Sequence, residues 1–305
     1  MLQYFLKRLL RTIPLLIIIS FGIFMFIRMI PGDPARLLAG NDATLEEVEA
    51  IREFHGLNDP LPIQYWRYIS GIVQGDFGTS LRTARPVADM LFPRYSVTFS
   101  LALTSMTWAL IIGLSVGVVS AVFRGKWPDY IGMLLAVVGI SIPSFWLGLM
   151  LIQGFAVTWS IFPVTGLNAL KDYTLPSITL GAGIMAMVAR NSRSEMSETL
   201  RNDYIRTARA KGLNEPEVIF KHALRNSMVQ VMTIIGLQFG FLLGGSVITE
   251  RVFGIAGLGG LLVDSIFFRD YTVIQAQLII FAVIFITINL IVDMVYAFLN
   301  PKIRY

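Results

Sequence analysis

Residues 95–123 read YSVTFSLALTSMTWALIIGLSVGVVSAVF, an unbroken run without a charged side chain. A hydrocarbon core ~30 Å thick is crossed by ~20 apolar residues rising 1.5 Å each. Only a helix can satisfy its own backbone hydrogen bonds in that medium, so the run predicts a transmembrane helix. Outward from it, five more charge-free stretches follow: Thr12 to Ile27, Tyr130 to Leu170, Tyr173 to Ala189, Asn226 to Thr249 and Tyr271 to Val292. Of the 305 residues, 55% are hydrophobic and 15% charged, against ~25% charged in a typical globular chain. Two soluble domains, the ordinary reading at ~150 residues each, are excluded. The chain reads as an all-α polytopic membrane protein.

With zero cysteines, a disulfide framework, a thiolate nucleophile and a cysteine-ligated metal site are excluded, and no other metal cluster is read. The net charge of +5 fits topology better than nucleic acid. If the N-terminus is cytoplasmic, segments 1–11, 124–129, 190–227 and 293–305 lie inside and carry fifteen Lys or Arg against seven acids. The outer segments then hold ten basic and thirteen acidic residues, the asymmetry of the positive-inside rule. The basic start and apolar run resemble a signal peptide, but Arg28-Met29-Ile30-Pro31-Gly32-Asp33 lacks the small-x-small cleavage site, so the run is expected to stay as the first span.

Splitting Tyr130 to Leu170 into two spans would put the basic loop around Arg190 to Arg225 outside. One span, about 131 to 155, is therefore expected, followed by an interfacial turn with Trp159, Pro163 and Gly166. The expectation is six transmembrane helices with both termini cytoplasmic. Three regions follow: residues 1–30 as cytoplasmic start and first span, 31–94 as an extracytoplasmic segment, and 95–305 as a core of five spans with a cytoplasmic loop at 190–227. Gly113 and Gly117, and Gly236, Gly240 and Gly244, recur every fourth residue and form small stripes for close helix packing.

The loop is the informative part. Asn202 or Asp203 can cap a short helix, Gly212 suits the left-handed position that ends it, and Asn214 caps a second with Pro216 in its first turn. On the first helix Tyr204, Ala208 and Lys211 share a face, and Ala208 and Gly212 leave room for a close neighbour. A membrane-surface helix drawn to anionic lipid and a docking helix for a cytosolic protein both fit. Nucleic-acid binding does not, because no aromatic platforms accompany the charges.

Arg206-Thr207-Ala208-Arg209-Ala210-Lys211-Gly212, with His222-Ala223-Leu224-Arg225-Asn226 downstream, resembles the EAA loop of ABC-importer permeases in the version of the peptide and nickel branch. Pro31-Gly32-Asp33-Pro34, Gly75-Asp76-Phe77-Gly78-Thr79-Ser80, Arg85-Pro86-Val87, Gly257-Leu258-Gly259, Arg269-Asp270-Tyr271 with Ile274-Gln275, and Asn300-Pro301-Lys302-Ile303-Arg304-Tyr305 match the same branch in order. The chain is similar to its B-type subunits, nearest the glutathione and dipeptide permeases. Gln230, Ala256 and Thr272 stand where proline is usual in that branch.

The resemblance implies a type I permease fold in the bacterial inner membrane and half of a translocation pathway for dipeptides, oligopeptides or glutathione. It implies a second homologous permease subunit as heterodimer partner, two cytosolic ATPases that bind ATP and Mg, an extracytoplasmic binding protein and surrounding lipid. The chain carries no cofactor of its own and is not an enzyme; no G-x-x-x-x-G-K-[ST] phosphate loop occurs. By resemblance Tyr204, Arg206, Thr207, Ala208, Arg209, Lys211 and Gly212 form the ATPase-coupling helix. Ala208 and Gly212 allow close docking, and the basic side chains meet the ATPase rim. His222, Arg225 and Asn226 brace the loop.

Residues Arg36 to Arg94, with Tyr65, Trp66 and Tyr68, are expected to fold as a small helical platform, and the loop residue His55 is not read as a ligand. Asp293 is expected to pair with a basic neighbour, and a proton relay would need a second acid within the spans, where the charge-free stretches show none. The alternative class is an ion-coupled secondary transporter, which should carry charges at mid-membrane. An intramembrane hydrolase would need paired acids, Ser/His or H-E-x-x-H in the spans.

Overall fold

The computed structural model describes residues 2–29, 33–40, 42–54, 56–164 and 169–299. These form α1 (Leu2–Met29), α2 (Pro34–Ala39), α3 (Leu45–Phe54), α4 (Leu61–Val73), α5 (Val87–Val122), α6 (Trp127–Ser141), α7 (Ser144–Leu151) and α8 (Thr174–Thr199). After them come α9 (Asp203–Ala210), the single turn α10 (Glu215–Glu217), α11 (Arg225–Val252), α12 (Leu258–Phe267) and α13 (Tyr271–Leu299). Wider π-type turns extend α7 over Ile152–Thr158 and link α10 to α11 over Val218–Leu224. The one β contact among the described residues is an isolated bridge between Thr79 and Pro86.

Among the described residues three stretches are long and apolar enough to cross a membrane: Leu10–Met29, Val87–Val122 and Tyr271–Val292. At 1.5 Å per residue the 36 residues of α5 run about 54 Å, well past the hydrocarbon core. The span expected over residues 131 to 155 is not one straight helix: α6 and α7 with its extension are bent by 104°. Pro143 explains the break, since it lacks an N–H and drives the residue before it out of the helical region; Ile142 is extended at φ −80°, ψ 124°. On α6, Ile131, Leu134, Leu135, Val137 and Val138 are exposed, an apolar outer face suited to lipid.

The chain divides into two compact units, Val97–Gly259 with the stretch from Ile288, and Leu2–Ser96 with Gly260–Thr287. In the first, Ala102, Met106 and Ala109 of α5 meet Ile184 and Val188 of α8 and Val231 and Leu242 of α11. The helices approach through small residues. A Cβ on Gly113 would lie 2.7 Å from the Met185 carbonyl oxygen, and one on Gly117 2.8 Å from that of Ala189. Gly236 meets Val292 in the same way, whereas Gly244 faces open space.

In the second unit Phe24 of α1 packs against Tyr65 and Tyr68 of α4, with ring centroids 5.3 and 6.0 Å away, and Ser20 Oγ bonds the Tyr65 hydroxyl at 2.8 Å. Two of the expected aromatics thus anchor α4, while Trp66 is exposed. The turn motifs converge on Asp270. Its carboxylate accepts from Ser80 Oγ and from Leu81 N at 3.1 Å. Ser80 N donates to Arg85 O and Val87 N to Gly78 O, each at 2.9 Å. Burial of the Tyr68 phenol, whose hydroxyl reaches the Gln275 carbonyl, pushes its ionisation well above the usual tyrosine range.

Candidate functional site

The helix α9 is built as its sequence dictates. Asn202 holds the extended cap conformation, φ −67° and ψ 148°, without a side-chain bond. At the other end Gly212 N bonds Arg209 O at 2.9 Å and Leu213 N bonds Ala208 O at 3.4 Å, the paired closure of a Schellman turn. That turn needs the left-handed conformation, and Gly212 has φ +80°. Asn214 then caps the next turn, accepting from Glu217 N at 2.9 Å.

Ile205 and Ala208 lie on the inner side of α9, in one cluster with Val118 and Ala121 of α5, Met196 of α8, and Val218 and Ala223. Ala208 is 6% exposed. Of the face expected to present Tyr204, Ala208 and Lys211, the first and last are exposed and Ala208 alone is turned inward, its small side chain packed against α5 and α8. The exposed side carries Tyr204, Arg206, Thr207, Arg209, Lys211 and Gly212.

These exposed groups differ in how free they are. Arg209 makes a bidentate pair with Glu215, 2.7 and 3.2 Å, which closes the loop across the Schellman turn. The guanidinium bonds hold the Glu215 carboxyl below the usual range, and the carboxylate in turn raises Arg209. Thr207 Oγ1 bonds back to Asp203 O at 3.0 Å. Arg206 is only loosely associated with Asp203, at 3.8 Å and with most of its side chain in solvent. Of the three expected bracing residues, Asn226 acts directly, donating to the Tyr204 hydroxyl at 2.8 Å. The side chains of His222 and Arg225 make no hydrogen bond or ion pair among the described residues.

A support missed in the sequence lies beneath the loop. Arg193, near the end of α8, grips Asp129 with bonds of 2.6 and 2.7 Å. Gly125 N donates to the same carboxylate at 3.0 Å, and Arg124 Nη1 donates to Ser197 Oγ at 2.6 Å. The 124–129 turn is thereby fixed to the last two turns of α8, which leads into α9. The signal was an acid bordering one charge-free stretch and an arginine four places past the end of another, but 64 residues separate them.

An acid stands at the end of one charge-free stretch. Glu250 of α11 is fully buried, one position past the charge-free stretch that ends at Thr249. Thr98 Oγ1 donates to its Oε1 at 2.6 Å and accepts from Leu258 N at 2.8 Å. A Cβ on Gly257 would sit 2.3 Å from the carboxyl group, so the Gly257-Leu258-Gly259 motif lets backbone close over an acid. His55, Gly166, Pro31, Gly32 and the end from Asn300 lie outside the described residues, as does the side chain of Asp293. No cluster that could hold a metal is present among the described residues.

Comparison with known proteins gives the family. Residues 111–305 match the family model described as "Binding-protein-dependent transport system inner membrane component", and residues 1–102 match "Binding-prot-dependent transport system membrane comp, N-term". The chain is 52% identical over 305 residues to the glutathione transport system permease protein GsiC of Escherichia coli (strain K12), covering 100% of both chains. It is 50% identical over the same length, again 100% of both, to the GsiC protein of Salmonella paratyphi A. Among solved structures it resembles the inward-facing MetNI methionine ABC transporter, with TM-score 0.59 and 20% identity over 69% of this chain and 96% of that one. It also resembles an amino acid ABC transporter with histidines, with TM-score 0.55 and 16% identity over 68% and 93%. These two carry the fold alone. By its family matches and its full-length relatives, the chain belongs to the inner membrane components of binding-protein-dependent transport systems, as a non-catalytic ABC permease subunit.

Proposed function

We infer that this permease imports glutathione or short peptides, and that α9 couples it to two cytosolic ATPases. The observation that carries the coupling is the two-sided build of α9. Its inner side is locked into the ends of α5 and α8, and its outer side offers Arg206 and Lys211 to solvent. A rigid underside transmits displacement, and a basic upper side suits an acidic cleft. Closure of the ATPases around Mg-ATP would push α9, and α5 and α8 would move with it.

In this reading α8 and α11 complete six crossings with the three apolar helices and the bent α6–α7 pair, and both termini are cytoplasmic. Residues 31–94 form the extracytoplasmic segment that faces the binding protein, ahead of the core from 95 onward. A homologous permease subunit supplies the other half of the pathway. The substrate class rests on the full-length similarity to glutathione permeases. Glu250 gives no support to an ion-coupled carrier, because Thr98 and the glycine motif already engage it.

The test is uptake of labelled glutathione and of a dipeptide by cells expressing the whole transporter. Uptake that stops when the binding protein or ATP hydrolysis is removed is expected. Uptake that persists without either and follows an ion gradient contradicts the reading, and a reporter after Gly166 that faces the cytoplasm contradicts the topology.

A further inference from the structure

Within the unit Leu2–Ser96 with Gly260–Thr287, two tyrosines set the depth at which α4 sits. The Tyr65 hydroxyl lies 2.8 Å from Ser20 Oγ and donates to Ile17 O at 3.3 Å, and Ser20 stands at the middle of the charge-free stretch Thr12 to Ile27. The rings of Tyr65 and Tyr68 pack on Phe24, three residues inside the end of that stretch, or about 5 Å at the helical rise. From the other side the Tyr68 hydroxyl reaches Gln275 O, four residues into the apolar stretch Tyr271–Val292, about 6 Å by the same rise. Read independently, α1 and α13 both place α4 inside the apolar layer.

The opposite side of α4 has the composition for that depth. Pro62, Ile63, Trp66, Ile69, Ser70 and Val73 share the arc away from α1 at helical spacing, and all but Ser70 are apolar. Ile63 is 49% exposed, Trp66 73% and Val73 81%. The polar groups are engaged elsewhere: Arg67, at the edge of the arc, pairs with Asp59 at 2.7 Å, and buried Gln64 donates to the carbonyls of Leu57 and Asp59 and accepts from Arg28. Neighbouring α3 is built the other way, with Glu46, Glu47, Glu49 and Glu53 on its exposed side, as a helix in water requires. Phe21 of α1, half-exposed beside the Tyr65 ring, continues the apolar surface from α4 onto α1. Helices with an exposed apolar face lie about 5–10 Å into the headgroup boundary of a bilayer, the level at which tryptophan is enriched.

We propose that α4 is an interfacial anchor immersed in the outer leaflet, with its Trp66 face against lipid. The choice of leaflet rests on the proposed topology; the depth does not. The anchor divides the extracytoplasmic segment, since α4 is held by lipid and only α3 and the turns are left to meet a soluble partner. The test uses the absence of native cysteine: Trp66→Cys, Val73→Cys and, as a reference on the exposed side of α3, Ala50→Cys are each labelled with a nitroxide in the assembled transporter in proteoliposomes. Electron paramagnetic resonance then reads collisions with oxygen, which partitions into lipid, and with a neutral nickel chelate, which stays in water.

The ratio of oxygen to chelate collisions is expected to be several-fold higher at 66 and 73 than at 50, and unchanged when the binding protein is added. A ratio at 66 and 73 equal to that at 50 overturns the anchor. Low access to both reagents marks a dry contact with protein and overturns it also, as does access that is lost on adding the binding protein. ATP-driven uptake by the labelled transporters checks that they are assembled, and Val73→Cys carries the test where removal of Trp66 disturbs assembly. A cysteine at 50 that an impermeant maleimide reaches only from the cytoplasmic side defeats the topology, and with it the choice of leaflet, whereas the collision ratio reports depth from either side.

Discussion

Two arginine–carboxylate forks stand near the coupling helix with almost the same geometry and very different surroundings. In the Arg193–Asp129 fork the carboxylate side chain is 3% exposed, and in the Arg209–Glu215 fork the two side chains are 42% and 58% exposed. Water screens the second pair, and ordering two long side chains offsets much of its attraction, leaving ~0–1 kcal/mol. The first has left water, so its worth shows when one partner is removed and a charge stays behind unpaired. The contrast separates two tasks. The buried fork fixes the 124–129 turn to α8, and the exposed one shapes a loop that must remain accessible.

The largest expected effect breaks the buried fork. Asp129→Ala should destabilise the detergent-solubilised chain by about 3 kcal/mol, the lower end for a buried pair because Arg193 keeps 30% exposure. The check is the melting temperature, and replacing both partners, Asp129→Leu with Arg193→Met, should recover most of the loss. A single variant as stable as wild type would remove the distinction between the forks. Next comes Ala208→Trp, which overpacks the cluster under α9 and should cost about 1–3 kcal/mol, whereas Arg206→Trp on the outer side should leave stability unchanged and impair transport.

Gly212→Ala follows at about 1–2 kcal/mol, the cost of a left-handed L residue. No atom lies within 4 Å of the added Cβ, so backbone strain is the whole effect, and Gly212→Asn should recover part of it. Smallest is the exposed fork: Glu215→Gln should change stability by less than about 1 kcal/mol. Its sign with pH is fixed, because the folded carboxyl titrates below its unfolded value. The contribution is full above the usual glutamate range of ~4.3 and disappears as pH falls through the lower folded value. A stability difference between Glu215→Gln and wild type that grew above pH 5 would contradict it.

The contrast between the forks also marks how far the sequence could be read. Turn chemistry at Gly212 and Asn214 was legible because cap and left-handed positions depend on residues within four places of each other. The side of α9 that faces inward was not. Periodicity sets Ala208 beside Tyr204, four places back, as readily as beside Ile205, three back, and which of them accompanies it into the bundle depends on α5 and α8, far away in the chain. The Asp129–Arg193 pair has the same difficulty. Pro143 carried its signal in plain view, and the absence of charge around it hid a break that a proline inside a helix should suggest. The glycine at 257 is legible as part of a motif, but its reason, the Glu250 carboxyl in the space a Cβ would need, is a tertiary contact. The meeting of Ser80 with Asp270 spans 190 residues and explains in retrospect why the two turn motifs occur together.

The absence of native cysteine allows a direct test of the central claim, that α9 is anchored by its inner side and read by the ATPases on its outer side. Single-cysteine variants Arg206→Cys and Ile205→Cys would be exposed to a membrane-impermeant maleimide in inside-out vesicles, with the chain alone and in the assembled transporter. The account predicts that cysteine at 206 reacts in the lone chain, is protected on assembly and crosslinks to an ATPase subunit, while cysteine at 205 stays unreactive throughout. Free labelling at 206 in the assembled transporter, or labelling at 205 in the lone chain, would contradict it.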